Sequence, residues 1–254
     1  MSQLTLSATS KTAIAIERIR FNAPRNGPLW IAQSYGKDSA VMQELVRLSG
    51  VPFESHHNVV GVEPPELIKF GRMNYPDTHW DMPERSMFDL VVSNGLPTRM
   101  HRWCCRELKE RGGAGRTVVT GVRAQESNKR RHRGVYETCF RDDTRHFLNP
   151  IVDWTTKDVW AFIEERQLPV CELYHQGFKR LGCILCPNNG RIATRKHLAM
   201  WPKIAEAWKR AGIRSWERRT VGMKAWATGE DYWQWWLTRP RQPLTNEYPT
   251  LFTM

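Results

Sequence analysis

The sequence predicts an α/β fold in which a mainly parallel sheet is flanked by helices. Short strands rich in β-branched residues alternate with helical stretches, a pattern typical of layered α/β domains. The 254 residues suffice for one core of this type with a smaller appendage. A formal net charge of +12 further predicts an anionic partner, such as a polyphosphate or a nucleic acid.

The first half of the chain supplies two pairs of strand and helix. Ala and Ile recur at helical spacing in residues 10–24, with Ser10 as the predicted N-cap. A strand over 29–33 leads into a helix over about 38–48, and the string FESHHNVVGV predicts a second strand. The string PPELIKFGRM starts another helix, because proline is tolerated in the first turn.

The second half adds a further strand, a capped helix and a tail of different composition. RTVVTGVRA predicts a strand that ends at Gly121. NPIVDWTTKDVWAFIEERQLP joins a short strand to a helix, with Thr155 as N-cap and Asp158 at the capping-box position. The tail 190–254 holds 12 Lys and Arg against 5 Asp and Glu, and 7 of the 12 Trp, which predicts a basic helical appendage.

The loop after the first strand is the first candidate site. Gly36 lets the backbone approach an anion, and the amides that open the next helix point at it. Lys37 adds a positive charge, and Ser34 and Ser39 add hydroxyl groups. The loop suits a phosphate chain but matches neither G-x-x-x-x-G-K-[ST] nor G-x-G-x-x-G. A short polar loop with one glycine is also an ordinary strand-to-helix connection.

Four of the six cysteines form two close pairs. Cys183 and Cys186 make a C-x-x-C, which alone could be a redox pair, half a zinc site or half an iron-sulfur site. Adjacent Cys104 and Cys105 supply two more thiols, and in a cytosolic chain this grouping favours metal over disulfides.

The remaining two cysteines are isolated in the sequence. Cys139 and Cys171 have no cysteine close to them in the chain. An isolated cysteine is most often a small buried hydrophobe. A sulfur-relay or substitute-ligand role stays open for both.

Several strings in order resemble a known family. The string SYGKDS resembles the S-G-G-K-D-S pyrophosphate loop of the adenine-nucleotide α-hydrolase group, with Tyr35 in place of the first glycine. GVRAQES, NPIVDWTTKDVW, LPVCELYHQGFKRLGC and CPNNG follow the order of the phosphoadenosine-phosphosulfate (PAPS) reductase-like family over about 28–190. The resemblance implies a Rossmann-like fold with three parts, which are an N-terminal helical segment at 1–27, the family domain at 28–190 and the Trp-rich region at 191–254.

The resemblance also implies roles for individual residues. ATP with Mg²⁺ is the expected cofactor, and the loop residues that surround its β and γ phosphates are Ser34, Tyr35, Gly36, Lys37, Asp38 and Ser39. Lys37 would offset charge on departing pyrophosphate, and Asp38 would cap the helix or hold Mg²⁺ through water. Gly121 and Arg123 follow a later strand, where open α/β sheets place ligands. Glu63 matches the family's acidic position, although Pro64 and Pro65 replace the usual Thr-Gly.

The cysteine pattern looks like that of adenylylsulfate reductases. The resemblance implies a [4Fe-4S] cluster on Cys104, Cys105, Cys183 and Cys186, with zinc as the alternative. The printed sequence has no cysteine after Cys186, whereas assimilatory reductases attack the sulfonucleotide with a tail cysteine. We therefore expect the related chemistry of the Dnd- and Ssp-type enzymes, in which ATP is cleaved to AMP and pyrophosphate to activate nucleic acid for sulfur incorporation.

Three functions remain open at this point. The first is the ATP pyrophosphatase, with DNA favoured over tRNA, and a cysteine desulfurase or other sulfur donor as partner. The second is a sulfonucleotide reductase that uses an external thiol. The third is a nucleic-acid-binding accessory protein with a regulatory nucleotide site. No long apolar run or secretory signal is seen, so a cytoplasmic protein without membrane contact is expected; the sequence does not predict an oligomeric state.

Overall fold

The computed structural model describes residues 10–219 and 225–238. These residues form two compact units, each built from separate parts of the chain. The first unit contains the described residues up to Asn58, together with Pro65–Asp81 and Gly112–Leu181. The second contains Val59–Pro64, Met82–Arg111 and the described residues from Gly182 onward.

The six strands found in the described residues belong to one sheet of the first unit. They are β1 (Leu29–Ala32), β2 (Phe53–Asn58), β3 (His79–Asp81), β4 (Thr117–Val119), β5 (Tyr136–Cys139) and β6 (Asp142–Leu148). Their order is β3-β2-β1-β4-β6-β5, and every neighbouring pair is parallel except the antiparallel β5 and β6. The predicted mainly parallel sheet is therefore confirmed, with one antiparallel strand at its edge.

Helices of the first unit surround this sheet. They are α1 (Lys11–Phe21), α2 (Lys37–Ser49), α3 (Pro65–Asn74), α5 (Asn128–Arg131) and α6 (Thr156–Glu165). Helices α4 (Met87–Asn94), α7 (Arg191–Met200), α8 (Pro202–Glu217) and α9 (Gly229–Thr238) belong to the second unit. None of the helices in the described ranges is long and apolar enough to cross a membrane.

Two predicted helix starts are confirmed by their caps. The hydroxyl of Ser10 accepts a hydrogen bond from the backbone amide of Ala13 (3.1 Å) at the start of α1. Thr155 and Asp158 form the capping box of α6, in which the Asp158 amide donates to the Thr155 hydroxyl (3.2 Å) and the Thr155 amide donates to the Asp158 carboxylate (2.6 Å). Such caps satisfy amides that have no partner inside the helix.

The core of the first unit lies between the sheet and helices α1, α2 and α6. Fully buried residues come from β1, where Leu29 and Ile31 are inaccessible, and from α2, where Val41, Met42 and Leu45 are inaccessible. Helix α2 packs against both α1 and α6. The core therefore fixes the position of the loop that joins β1 to α2.

The predicted short strand before α6 is wrong. Residues 149–154 make a turn instead, in which the Val152 amide donates to the Asn149 carbonyl (3.2 Å) and the Trp154 amide donates to the Ile151 carbonyl (3.0 Å). Pro150 has no amide hydrogen, so a central strand could not pair along this segment. The strand of this region is β6, which ends at Leu148 and pairs with β5 in a hairpin that was not predicted.

The second unit is helical, and its tryptophans form much of its interior. Trp208 of α8 stacks on Trp236 of α9 with ring centroids 5.2 Å apart, and Trp233 lies 5.4 Å from Trp236. The indole of Trp236 donates to the Pro97 carbonyl (2.6 Å). The predicted helices of the Trp-rich tail are confirmed for its described residues, and these buried rings serve packing. The three-part division into 1–27, 28–190 and 191–254 stays a prediction.

Candidate functional site

The candidate nucleotide site lies at the carboxyl end of the central strand β1. This strand has β2 on one side and β4 on the other. The chain passes from β1 through α2 to β2, so the order of connections reverses between β1 and β4. Ligands of open α/β sheets bind at such a reversal, outside the carboxyl ends of the strands. The loop 33–36 and the segment 120–123 both begin there.

Hydroxyl groups organise the loop 33–36. The Ser39 hydroxyl donates to the Gly36 carbonyl (2.9 Å) and lies 3.2 Å from the Ser34 hydroxyl. Gly36 is the N-cap of α2 and offers no side chain of its own to the first turn, whose positive end favours an anion. The loop therefore has the geometry of an anion site.

Three charged side chains meet beside the first turn of α2. The Lys37 ammonium lies 2.7 Å from one Asp38 carboxylate oxygen, and the Arg123 guanidinium donates to the other (2.7 Å). Side-chain exposure is 6% for Lys37, 3% for Arg123 and 21% for Asp38. Two cations thus share one carboxylate, which leaves a net positive charge for an anionic ligand.

Arg123 and Gly121 are placed by close contacts. The Arg123 guanidinium also donates to the Trp154 carbonyl (3.4 Å) and the Thr156 hydroxyl (3.3 Å), which fix its direction. A side chain on Gly121 would lie 2.9 Å from the backbone of Asp38, closer than real contacts allow. Only glycine lets the segment after β4 come this close to α2.

Tyr174 is a loop contact that the sequence interpretation missed. Its hydroxyl accepts a hydrogen bond from the Lys37 backbone amide (2.9 Å), the first amide of α2. Burial raises the pKa of Tyr174, so the hydroxyl stays neutral. Tyr174 lies within LPVCELYHQGFKRLGC, which carried the family resemblance but indicated no role for this residue.

Tyr35 adopts a backbone conformation that favours glycine. Its φ is 58°, in the left-handed region, which costs a non-glycine residue about 1–2 kcal/mol. Its ring is 1% exposed and stacks on His57 with centroids 4.6 Å apart. Burying an aromatic side chain contributes about 1.5–3 kcal/mol, and a ring pair adds about 0.5–1.5 kcal/mol. Packing therefore outweighs the backbone cost.

Glu63 lies in the second unit, whereas the loop belongs to the first. Its carboxylate accepts hydrogen bonds from the backbone amides of Val60 (2.8 Å), Gly61 (2.8 Å) and Val62 (3.1 Å). These bonds give Glu63 a local role in holding its own loop. Its predicted contact with the nucleotide stays a prediction.

The two cysteine pairs belong to the second unit, each on an unusual local backbone. Cys105–Lys109 form a π-helical turn directly after Cys104, a form of helix found frequently at functional sites. Between Cys183 and Cys186, Leu185 has a φ of 57°, and its amide donates to the imidazole of His197 (3.0 Å). The C-x-x-C turn is thus held in shape by a histidine that the sequence interpretation missed.

The thiols of the two pairs act on one another electrostatically. A hydrogen bond with Cys105 raises the pKa of Cys104, and negative charge on Cys183 and Cys186 raises it further. The same bond lowers the pKa of Cys105. Negative charge on Cys183 raises the pKa of Lys109, which lies four residues after Cys105. The position of Lys109, one helical turn after Cys105, could have indicated from the sequence a cation close to the thiols, but this position was not used.

Soft thiol donors of this number suit an iron-sulfur cluster or zinc. Within 10–219 and 225–238, however, no three Cys, His, Asp or Glu side chains form a group that could hold a metal ion. The cluster on Cys104, Cys105, Cys183 and Cys186 therefore remains a prediction.

The isolated cysteines are buried, as the sequence predicts. Cys171 is inaccessible and Cys139 is 6% exposed. The Arg145 guanidinium lies 3.3 Å from the Cys139 sulfur. Neither cysteine belongs to the paired thiols, which are in the second unit.

Comparison with known proteins agrees with this fold. The structure is similar to that of the phosphoadenylyl-sulfate reductase from Candida auris, with a TM-score of 0.52 at 18% identity over 66% of this chain and 87% of that chain. This likeness concerns the fold, which is Rossmann-like and of the nucleotide-binding type.

Sequence comparison shows the family. The model of the phosphoadenosine phosphosulfate reductase domain matches residues 28–189, so the chain belongs to this family of enzymes. The adenosine 5′-phosphosulfate reductase of Allochromatium vinosum is 28% identical over 76% of this chain and 80% of that protein. The uncharacterized protein MJ0066 of Methanocaldococcus jannaschii is 25% identical over 82% of this chain, which spans only 46% of that relative.

Proposed function

We propose that the chain is a sulfonucleotide reductase, acting on adenosine 5′-phosphosulfate or its 3′-phosphorylated form with an external dithiol. The observation that carries this proposal is the shared carboxylate of Lys37 and Arg123, which leaves one positive charge at the carboxyl end of β1. The similarity to adenosine 5′-phosphosulfate reductases supports the choice of substrate. The sequence alone favoured DNA phosphorothioation, for which the comparisons add no support.

The proposed reaction has two steps. A thiolate of the dithiol attacks the sulfate sulfur, and the bond from that sulfur to the phosphate oxygen breaks. The nucleotide leaves with the electron pair, and its phosphate charge is stabilised by Lys37, Arg123 and the start of α2. The second thiolate then attacks the sulfonated thiol, so that sulfite leaves and the dithiol becomes a disulfide.

The cysteine pairs fit an additional group by their donor chemistry. Cys104, Cys105, Cys183 and Cys186 would hold a [4Fe-4S] cluster or zinc, and the positive charge of Lys109 would offset that of the thiolates. When bound, such a group supplies a metal centre within the second unit. Neither step of the proposed reaction depends on electron transfer through it.

A second candidate is ATP cleavage that activates nucleic acid. The observation that favours it is Asp38, a carboxylate beside a phosphate site, which could hold Mg²⁺ through water. Helix α8 adds Lys203, Arg210 and Arg214, which are exposed and form no ion pair with any described residue. A row of such cations suits a phosphate backbone.

One experiment separates the two functions. The purified chain is given adenosine 5′-phosphosulfate or its 3′-phosphorylated form with thioredoxin, and sulfite is measured. In parallel it is given ATP, Mg²⁺ and DNA or tRNA, and pyrophosphate is measured. We expect sulfite, and we expect Lys37→Met to lower kcat/KM by about 100-fold or more.

Lys157→Met, an exposed change on α6, is the matched control and should leave turnover unaltered. If pyrophosphate is released only in the presence of ATP and nucleic acid, and no sulfite forms, the second candidate is the function and the reductase is excluded. Release of ADP and phosphate from ATP would exclude the second candidate, and absence of sulfite would exclude the reductase.

A further inference from the structure

Tyr35 is the one position at which the loop departs from the S-G-G-K-D-S pattern, and its ring does not face solvent. The ring is 1% exposed and lies near three aromatic side chains, with centroids 4.6 Å from His57, 5.6 Å from Trp80 and 5.8 Å from Tyr75. Because the enclosed ring cannot touch a ligand directly, it can affect ligand binding only through the backbone conformation of its loop.

Gly71 of α3 provides the space into which this ring fits. A side chain built on Gly71 would place its Cβ 2.5 Å from Cε2 of Tyr35 and 2.7 Å from its Cζ. Real Cβ atoms essentially never come closer than 3.0 Å to a neighbour. A glycine in the interior of a helix lowers helix stability, so its presence here has a packing reason.

The backbone around Tyr35 is fixed from the other side by Gln33. The Tyr35 amide donates to the side-chain oxygen of Gln33 (2.8 Å), and the side-chain nitrogen of Gln33 donates to Gln43 of α2 (2.6 Å). The carbonyl of Gln33 lies 3.0 Å from the His57 ring nitrogen. Gln33, supported by Gln43 of α2 and His57 of β2, thus holds the amide of Tyr35, while Gly71 of α3 leaves the space for its ring.

We infer that Tyr35 is a positioning residue that holds the loop 33–36 in its phosphate-binding form before any ligand binds. Gly71 leaves the space that the Tyr35 ring fills. A glycine at this position would let the free loop sample many conformations, and binding would have to restrict them. Tyr35 keeps the left-handed backbone through packing instead. The inference rests on the proposed phosphate site for its effect on ligand, but its effect on the free loop can be measured alone.

The first test is a series at Tyr35. Tyr35→Phe keeps the ring, Tyr35→Gly removes the ring and the backbone strain, and Tyr35→Ala removes the ring but keeps the strain. We expect Phe to be at least as stable as the wild type, because the buried Tyr35 hydroxyl has no hydrogen-bond partner among the described residues, followed by Gly and then Ala. Amide exchange of residues 34–37 in the ligand-free protein should be faster in Gly and Ala only. The Kd for pyrophosphate should rise about tenfold in Tyr35→Gly, as expected when binding must order the loop.

The second test is a double-mutant cycle with Gly71→Ala. In the wild type the added methyl group collides with the ring, so we expect faster loop exchange, weaker pyrophosphate binding and a lower Tm. In Tyr35→Gly the same change meets empty space and improves helix propensity, so it should leave the Tm unchanged or raise it. A change in Tm on Gly71→Ala that is negative in the wild type but not in Tyr35→Gly is expected only if the Tyr35 ring fills the space beside Gly71.

Gly212→Ala is the matched control, because its Cβ would lie 2.9 Å from Leu96 within the second unit. It should lower the Tm without changing loop exchange or the Kd. Equal harm from Gly71→Ala in both backgrounds, or unchanged loop exchange in Tyr35→Gly, would overturn the inference. Failure of the wild type to bind pyrophosphate or nucleotide would instead count against the proposed function. The amide exchange rates and the Tm values of the double-mutant cycle would still test whether Tyr35 positions the loop.

Discussion

Asp38 determines the electrostatics of the candidate site at the scale of single residues. Its carboxylate separates the charges of Lys37 and Arg123, both of which are almost inaccessible. Two such cations with no shared counter-charge would repel one another in a medium that screens poorly. The carboxylate therefore stabilises the ligand-free protein and lowers the attraction of the site for simple anions.

Replacing Asp38 by Asn tests this double role. We expect Asp38→Asn to lower the free energy of unfolding by about 3 kcal/mol, because two buried cations lose their partner. Sulfate or pyrophosphate without Mg²⁺ should then restore more stability in Asp38→Asn than in the wild type, since the anion replaces the lost charge. Urea unfolding with and without anion measures both effects. Asp143→Asn, an exposed change, serves as control; equal stabilisation of Asp38→Asn and wild type by the anion would contradict the prediction.

At the scale of elements, the sequence predicted the helices better than it predicted which strands pair. Helices α1, α2 and α6 follow from their apolar spacing, and Ser10 caps α1 and Thr155 caps α6 as expected. The hairpin of β5 and β6 was missed because β6 carries charged residues from its first position, and its partner lies at the sheet edge. Tyr174 could not be assigned from sequence, because its contact with Lys37 spans 137 positions.

The capping box of α6 gives a prediction on pH. A hydrogen bond from Lys11 lowers the pKa of Asp158 to about 2, and the Thr155 amide lowers it as well. An unfolded Asp titrates near 3.9, so its stabilising effect is complete above about pH 4 and is lost as the pH falls toward 2.

Urea unfolding of wild type and Asp158→Asn between pH 7 and pH 2.5 measures this effect. The stability difference should be constant down to about pH 4 and shrink below it. Asp143→Asn should differ little from wild type at any pH. A difference for Asp158→Asn that grows on acidification would contradict the assigned sign.

At the scale of the whole molecule, the candidate phosphate-binding residues and the paired cysteines belong to different compact units. The charged residues Lys37, Asp38 and Arg123 belong to the first unit, and the paired cysteines belong to the second. The sequence predicted both sets of residues, but it did not show that each unit is built from separate segments. Sequence patterns report local order, whereas the grouping of distant segments depends on tertiary packing.

Anaerobic purification of the protein tests whether the paired cysteines of the second unit hold a metal group. If the paired thiols hold a [4Fe-4S] cluster, the protein will be brown with broad absorption near 400 nm, and Cys183→Ser will lose this colour. Cys139→Ser is the matched control, because Cys139 belongs to the first unit. A colourless protein that contains zinc would replace the cluster, and a colourless protein without metal would exclude both.

The division of the second unit into separate segments has a consequence for synthesis. Cys104 and Cys105 leave the ribosome 78 residues or more before Cys183, and the helices that complete their unit come later still. At about 5–20 residues per second this interval lasts on the order of 4–16 seconds. During that time the first thiol pair waits without its partner pair, exposed to oxidants and to competing metal ions. If the two thiol pairs bind one metal group, as the sequence predicts, the order of translation makes their late assembly a vulnerable step in the maturation of this protein.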